Sequence, residues 1–138
     1  MSSSSELDVE GLMAEARAAR ERAYAPYSRF AVGAAVATDR GVFSGANVEN
    51  ASYSLAICAE RVAAAAAIAG GAKRIEAVAV TSSSPTATPP CGACRQFLNE
   101  FNPRMTVVSE SDRGDRKEWR LSDLLPDAFG PENLRERP

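Results

Sequence analysis

The chain has 138 residues, of which 45% are hydrophobic and 25% are charged, and its formal net charge is −2. This length suits one domain that buries roughly two thirds of its unfolded surface, and the composition is that of neither a disordered nor a fibrous protein. The small negative charge gives no global attraction to a phosphate backbone, which argues against nucleic acid as a partner. We therefore expect a single domain over residues 1–138, with residues 1–7 disordered.

Apolar periodicity predicts helices that alternate with strands after an opening hairpin. The first expected elements are a helix from Asp8 that ends before Pro26 and a β-hairpin over residues 30–37 and 42–49. A helix over 58–69, a strand over 74–82, a helix over 92–101 and a strand over 105–109 follow. The last expected element is a short helix that Ser122 caps and that ends near Pro126. The helix over 58–69 is apolar on nearly every face, so we expect it to be buried. The charged segment 112–120 is interpreted as a solvated loop. This order implies a mixed sheet with helices packed on it.

The N-terminal residues carry no basic start and no apolar stretch, so no secretory signal is predicted. The longest mostly apolar run, residues 62–72, is well short of the roughly 20 residues that cross a bilayer. We expect a cytoplasmic protein that does not contact a membrane. In such a reducing compartment, three cysteines favour metal binding, catalysis or burial over structural disulfides.

Two of the three cysteines lie in the sequence TPPCGACRQF, where Cys91 and Cys94 are three residues apart. If Cys91 opens a helix, both sulfurs lie on one face near the helix N-terminus, where unpaired N–H groups favour thiolates. This arrangement suits either a redox pair or a metal site. Cys58 also stands at the predicted start of a helix, so two helix N-termini can converge on one ion. The alternative for Cys58 is a lone buried cysteine.

The absence of histidine from the sequence limits the kind of metal site that is possible. A zinc site here has three thiolate ligands and no fourth soft ligand, whereas structural zinc is almost always closed by four Cys or His ligands. If the chain binds metal, the site is therefore expected to be catalytic. Three thiolates give zinc a formal charge of −1, which Arg61 or Arg95 can offset by donating hydrogen bonds to sulfur. The alternative for both arginines is a surface charge.

Glu60 follows Cys58 by two residues. At that spacing its carboxyl group can reach a metal-bound water without being a ligand. Beside an anionic centre its pKa should rise, which suits a group that both takes and gives protons. The alternative is a first-turn glutamate that stabilises the helix dipole.

The segments CAE, at Cys58, and PCGAC, around Cys91 and Cys94, match the three-cysteine form of the zinc deaminase signature. The chain resembles the small cytidine deaminases that act on free nucleosides. The resemblance covers most of residues 24–134 and runs in order through YAPYSRFAVGAA, GANVENASY, CAERVA, PCGACRQ and LLPDAFGPENL. It implies an α/β protein with a three-layer α/β/α fold and a mixed five-stranded sheet. It also implies hydrolytic deamination of cytidine and deoxycytidine to uridine and deoxyuridine, with release of ammonia, in pyrimidine salvage.

The resemblance assigns the metal and the proton transfer to particular residues. It implies that Cys58, Cys91 and Cys94 hold one Zn²⁺ per chain. Glu60 would carry a proton from water to N3 of the base and on to the leaving amine. Arg61 matches an arginine that moderates the thiolate charge.

The resemblance also identifies contacts to the nucleoside. Asn47 and Glu49, two apart in a predicted strand, face one side and correspond to ribose ligands; without the resemblance they are interpreted as a polar strand end. Phe30 corresponds to an aromatic residue beside the pyrimidine, and is otherwise expected in the core. The family is usually a homotetramer with shared active sites. The positions that neighbouring subunits contribute match Ala51, Tyr53 and Phe129.

Three other functions remain open from the sequence. A deaminase of a cytosine-containing antibiotic such as blasticidin S shares the metal motifs and the fold, although the segment NVENASY argues against it. A non-catalytic zinc-binding interaction module would need a closed metal site, and the variant Glu60→Gln would leave its function untouched. Editing of nucleic acid is disfavoured by the acidity and small size of the chain.

Overall fold

A computed structural model of the chain describes residues 7–135. The strands are β1 (Val32–Thr38), β2 (Gly41–Ala46), β3 (Ile75–Ser82), β4 (Thr106–Glu110) and β5 (Arg116–Arg120). The helices are α1 (Val9–Arg20), α2 (Ala59–Ala69), α3 (Gly92–Asn99), α4 (Leu121–Leu124) and α5 (Pro131–Arg135), with a short 3₁₀ turn over Tyr53–Leu55. Of the predicted disordered segment, residues 1–6 lie outside the described residues and Leu7 is exposed. No helix within residues 7–135 is long and apolar enough to span a bilayer.

The five strands form one mixed sheet in the order β2-β1-β3-β4-β5. β1 pairs antiparallel with both β2 and β3, β3 pairs parallel with β4, and β4 pairs antiparallel with β5. The parallel pair needs a crossover, and α3 lies in that connection. The mixed five-stranded sheet is therefore confirmed.

Helices cover both faces of the sheet. On one face, α1 buries Leu12, Met13 and Ala16 against the alanines of β1 and β3. On the other face, the alanines of α2 pack with Leu98 of α3 and with apolar residues of β1, β3 and β4. These two cores confirm the three-layer α/β/α arrangement.

Close approach of helix and sheet depends on glycine at one position in β1. A Cβ added at Gly33 would lie 2.0 Å from the carbonyl oxygen of Ala16 and 2.5 Å from the backbone nitrogen of Arg20. Because those atoms belong to the backbone of α1, they cannot move aside without shifting the helix. Glycine at this position therefore brings α1 into direct contact with the sheet.

The first helix is shorter than predicted. It begins where predicted, and Asp8 caps it, since its Oδ1 accepts a hydrogen bond from the Gly11 N–H at 2.8 Å. However, α1 ends at Arg20, and Tyr24 lies outside it with its side chain 55% exposed. The backbone of Tyr24 instead pairs with the chain around Val48, which pulls this segment into an extended conformation.

The C-terminal part of the chain departs most from the prediction. The segment interpreted as a solvated loop contains β5, which pairs with β4 and places Trp119 against the core. Its other side chains are charged because an edge strand faces water. Ser122 lies inside α4 rather than capping it, and Arg120 occupies the cap position. The helix α5 was not predicted.

The second helix is only partly buried in the single chain. Ala59, Ala63 and Ala67 are fully buried against the sheet, as predicted. Ala65 and Ala66, on the opposite side, are exposed. The prediction that the whole helix is buried is therefore wrong for one copy of the chain.

Candidate metal centre and active-site cleft

A cleft of about 280 Å³ opens where β3 ends and where α2 and α3 begin. Both helices present their N-termini to it, because Cys58 and Cys91 occupy the N-cap positions of α2 and α3. The wall between them is mostly apolar. The remaining lining residues are Phe30, Val32, Asn47, Glu49, Ala56, Ile57, Ala59, Glu60, Val80, Ser82, Thr88 and Pro89.

Three sulfur atoms converge at one end of this cleft. The Sγ atoms of Cys58 and Cys91 are 3.8 Å apart, those of Cys91 and Cys94 are 3.5 Å apart, and all three lie within 4.8 Å of one another. Tetrahedral zinc with Zn–S bonds of about 2.3 Å separates its sulfur ligands by about 3.8 Å, so the spacing fits a zinc ion. Across residues 7–135, no Asp, Glu or further Cys joins the group. The donor set leaves a fourth position for water or substrate.

Hydrogen bonds to the sulfur of Cys58 favour its thiolate form. The Cys94 thiol donates a hydrogen bond to Cys58 and Arg61 adds another, which together lower the pKa of Cys58 to about 5. The bond to Cys58 and burial raise the pKa of Cys94 above its ordinary value. The Arg61 Nη2 atom lies 3.8 Å from Cys58 Sγ, as predicted for an arginine that offsets thiolate charge.

Glu60 is a buried carboxyl group beside the sulfurs. It lies in the first turn of α2 with only 5% of its surface exposed, and it lines the cleft together with Cys58 and Cys91. Burial, and to a lesser extent the negative charge of Cys58, raise the pKa of Glu60 to about 7. A carboxyl group with such a pKa exchanges protons near neutral pH.

The side chain of Asn47 is hydrogen-bonded to the backbone at the rim of the cleft. Its Oδ1 accepts a hydrogen bond from the Val32 N–H at 2.9 Å, and its Nδ2 donates to the Phe30 carbonyl at 2.8 Å. Asn47 and Glu49 lie just past the end of β2 rather than within a strand, on either side of the bridging residue Val48. Both nevertheless line the cleft, as their two-residue spacing predicted. Phe30 lines it too and is 40% exposed, so it is not a core residue.

Glu49 is bound to the turn that precedes Phe30. Its Oε1 accepts hydrogen bonds from the Tyr27 N–H at 3.0 Å and the Ser28 N–H at 3.1 Å, and the Ser28 hydroxyl donates to its Oε2. These bonds, the Ser28 hydroxyl first, hold the pKa of Glu49 below its ordinary value. The Ser28 oxygen also accepts from the Phe30 N–H at 3.0 Å. Ser28 therefore links the carboxylate of Glu49 to the backbone of Phe30.

Comparison with known proteins identifies the family. Residues 7–110 match the family model described as the cytidine and deoxycytidylate deaminase zinc-binding region. The chain belongs to the cytidine deaminase family. It is 45% identical over 130 residues to a cytidine deaminase of Sporosarcina psychrophila, which covers 93% of this chain and 96% of that protein. It is 43% identical over 134 residues to a cytidine deaminase of Mycobacterium tuberculosis, which covers 96% and 98%.

Solved structures of the family share the fold. The crystal structure of cytidine deaminase from Burkholderia pseudomallei superposes with a TM-score of 0.85 and 48% identity, covering 89% of this chain and all of that one. The cytidine deaminase structure from Mycobacterium tuberculosis has a TM-score of 0.78 and 42% identity, covering 91% and 99%. As a member of the family, the chain is a hydrolytic enzyme. The zinc-binding family model and the three converging sulfurs assign one Zn²⁺ per chain to Cys58, Cys91 and Cys94.

Three of the positions expected from the family lie away from the cleft of their own chain. Ala51, Tyr53 and Phe129 do not line it, and Tyr53 and Phe129 are 75% and 59% exposed. The Tyr53 ring packs edge-on against Tyr27 at a centroid distance of 6.1 Å. A single chain therefore does not bring these three residues to its own metal centre.

Arg95 does not donate to sulfur, so that part of the prediction is wrong. Its Nε donates to the Pro90 carbonyl at 2.7 Å and its Nη1 donates to the Leu124 carbonyl at 2.9 Å. Ser28 is the residue that the sequence interpretation missed: it does not line the cleft, but it bonds to Glu49 and to the backbone of Phe30, which do. Its position two residues before Phe30, in a segment that resembles the family, was the available signal.

Proposed function

We propose that the protein deaminates cytidine and deoxycytidine to uridine and deoxyuridine with release of ammonia, as an enzyme of cytoplasmic pyrimidine salvage. The observation that carries this proposal is a buried carboxyl group, Glu60, in the same cleft as a three-sulfur metal centre. The relatives that match nearly the whole chain are named cytidine deaminases, which supports the choice of substrate.

Cys58, Cys91 and Cys94 hold the metal in this proposal. Bound zinc supplies a Lewis acid that lowers the pKa of a water molecule. Glu60 takes one proton from the attacking water and delivers it to N3 of the cytosine ring, and it then passes the proton of the added hydroxyl group to the leaving amine. Arg61 and the N-termini of α2 and α3 stabilise negative charge on the sulfurs.

The cleft binds the nucleoside through a mostly apolar wall and two polar side chains. Phe30 packs beside the pyrimidine, and Asn47 and Glu49 contact the ribose hydroxyls. Both polar groups keep capacity for a ligand after their contacts to the rim: the Asn47 amide has a second N–H, and the Glu49 carboxylate has further lone pairs. Their bonds to the rim hold these groups in place before substrate arrives.

The active site is completed by neighbouring copies in a homotetramer. Ala51, Tyr53 and Phe129 are exposed, and each would contribute to a neighbour's cleft. The exposed small residues Ala65 and Ala66 allow another copy to approach α2 closely. Analytical ultracentrifugation of the purified protein measures the number of copies in the assembly. We expect four, and a monomer would contradict the proposed homotetramer.

One ultraviolet assay separates the proposed function from its alternatives. The purified protein is tested side by side with cytidine, deoxycytidine and blasticidin S, and its zinc content is measured. We expect turnover of both nucleosides and one zinc per chain. Turnover of blasticidin S alone would indicate the antibiotic deaminase. A zinc-loaded protein that is inactive on all three substrates would indicate a non-catalytic module.

A further inference from the structure

Arg95 connects the residue before one zinc ligand to a distant part of the chain. Its Nε donates to the Pro90 carbonyl at 2.7 Å, and its Nη1 donates to the Leu124 carbonyl at 2.9 Å. Leu124 is the last residue of α4, so its carbonyl has no partner within that helix. Pro90 is fully buried and directly precedes Cys91. The half-buried Arg95 side chain thus links the backbone that precedes α3 to the C-terminal segment, residues 121–135.

The two ligands on α3 differ in how firmly packing holds them. Cys94 is fully buried in the core, whereas Cys91 is exposed. A Cβ added at the next residue, Gly92, would have no neighbour within 4 Å, so the side of the helix at Gly92 faces open space. Packing therefore holds the Cys91 side chain less firmly than that of Cys94, and hydrogen bonds to the neighbouring backbone contribute more to its position.

The chain that leads to Cys91 has no regular secondary structure from Ser83 to Pro90. Two side chains hold its last residues: the Ser109 hydroxyl donates to the Thr88 carbonyl at 2.7 Å, and Arg95 donates to the Pro90 carbonyl. The second bond acts on the residue bonded directly to Cys91. It therefore has the more direct control over the direction in which the Cys91 side chain leaves the backbone.

We propose that Arg95 is a positioning residue for the zinc centre: by holding the Pro90 carbonyl, it keeps Cys91 at the distance from Cys94 and Cys58 that zinc requires. Arginine suits this role because its planar guanidinium offers several donors in a fixed geometry and stays charged. Lysine has one compact ammonium group and cannot reproduce both bonds. The inference rests on the proposed zinc-dependent function.

The next residue provides a matched control. Gln96 Nε2 donates to the Phe129 carbonyl at 2.8 Å, so it also fastens α3 to the C-terminal segment. Its side chain makes no hydrogen bond to Pro90. Loss of Gln96 therefore tests attachment of the C-terminal segment alone, whereas loss of Arg95 tests that attachment together with the hold on Cys91.

The experiment compares the zinc-loaded wild type with Arg95→Gln, Arg95→Lys and Gln96→Ala. It measures the rate of zinc transfer to a chromophoric chelator, the visible spectrum after replacement of zinc by Co²⁺, and the melting temperature. We expect both Arg95 variants to lose zinc about 10–100-fold faster than the wild type and to show an altered Co²⁺ spectrum. We expect Gln96→Ala to match the wild type in both metal measurements.

If the wild type holds zinc, either of two results with the variants would overturn the proposal. The first is an Arg95 variant that melts at a lower temperature but keeps the wild-type zinc release rate and Co²⁺ spectrum, since Arg95 would then act only on stability. The second is equal acceleration in Gln96→Ala, since the C-terminal segment would then be responsible. A wild type without zinc would overturn this proposal and the proposed function together. A zinc-loaded, active wild type whose Arg95 variants keep their zinc would overturn this one alone.

Discussion

The guanidinium group of Arg61 lies against the sulfur of Cys58, with Nη2 3.8 Å from Sγ, in the first turn of α2. The Nε of Arg61 is buried and has no hydrogen-bond partner among residues 7–135. Within the protein, the guanidinium group of Arg61 therefore makes its hydrogen bond to a zinc ligand, the sulfur of Cys58. This relationship leads to the first of four predictions.

Arg61→Gln should weaken the zinc centre, because it removes the positive charge that offsets three thiolates. We expect zinc affinity or kcat to fall by about 10–100-fold, as for other groups that contact metal ligands. Arg61→Lys should lose less, since it keeps the charge. Chelator competition and steady-state kinetics measure both quantities. The control Arg74→Gln removes an exposed arginine paired with Glu76, and it should change neither.

Glu60→Gln should abolish most activity while leaving zinc in place. The amide has nearly the same shape as the carboxyl group but cannot move a proton, so we expect kcat with cytidine to fall by about 10²–10⁴-fold. Zinc content should stay at one per chain. The matched control Glu118→Gln changes an exposed glutamate of β5 that does not line the cleft. Near-normal turnover by Glu60→Gln would reject the proposed proton transfer.

Ser28→Ala should impair substrate binding more than catalysis. It removes the hydroxyl that donates to Glu49 and accepts from the Phe30 N–H, so these two proposed nucleoside contacts lose part of their support. If substrate binding loses the equivalent of one of these two bonds, about 1 kcal/mol, KM for cytidine rises roughly fivefold, with little change in kcat. Ser122→Ala, which changes a serine of α4 that has no hydrogen bond to Glu49 or Phe30, serves as control. A fall in kcat without a rise in KM would contradict the role assigned to the rim.

Glu110 should make stability depend on pH in the acid range. Its side chain, 8% exposed, accepts hydrogen bonds from Arg17 of α1 and Arg116 of β5, and these arginines hold its pKa below the ordinary value of 4.5. The folded protein therefore binds this proton less tightly than the unfolded chain. The stabilisation is fully present above pH 4.5 and is lost as the pH falls through the lower folded pKa.

The corresponding variant is Glu110→Gln. At pH 7 we expect its free energy of unfolding to lie roughly 1–3 kcal/mol below that of the wild type, because two arginines lose their charged partner. The difference should narrow as the pH falls below 4.5. Urea unfolding at a series of pH values measures the difference in free energy of unfolding. A difference that stays constant with pH would contradict the role assigned to the Glu110 carboxylate. Glu76→Gln, in an exposed ion pair, should differ little from wild type at any pH.

Much of the fold and the metal donor set could be predicted from the sequence. Helix starts, strand periodicity and the hairpin turn are local properties, and most of the helices and strands lie close to the predicted ranges. The elements that were missed or misplaced depend on distant partners. The charged strand β5 forms because β4 pairs with it, and α1 ends early because Tyr24 pairs with the chain near Val48.

By itself, the sequence determined which atoms are available for chemistry: three thiols, no imidazole, and a carboxyl group two residues from Cys58. Ligand type and spacing within one helical turn do not depend on the rest of the chain. Only the tertiary structure decided that Cys58 and Cys91, 33 residues apart, lie 3.8 Å from each other, and that Arg95 points to carbonyl groups rather than to sulfur. A long side chain binds whichever acceptor the fold places within reach, and for Arg95 one of them is Leu124, 29 residues further along the chain.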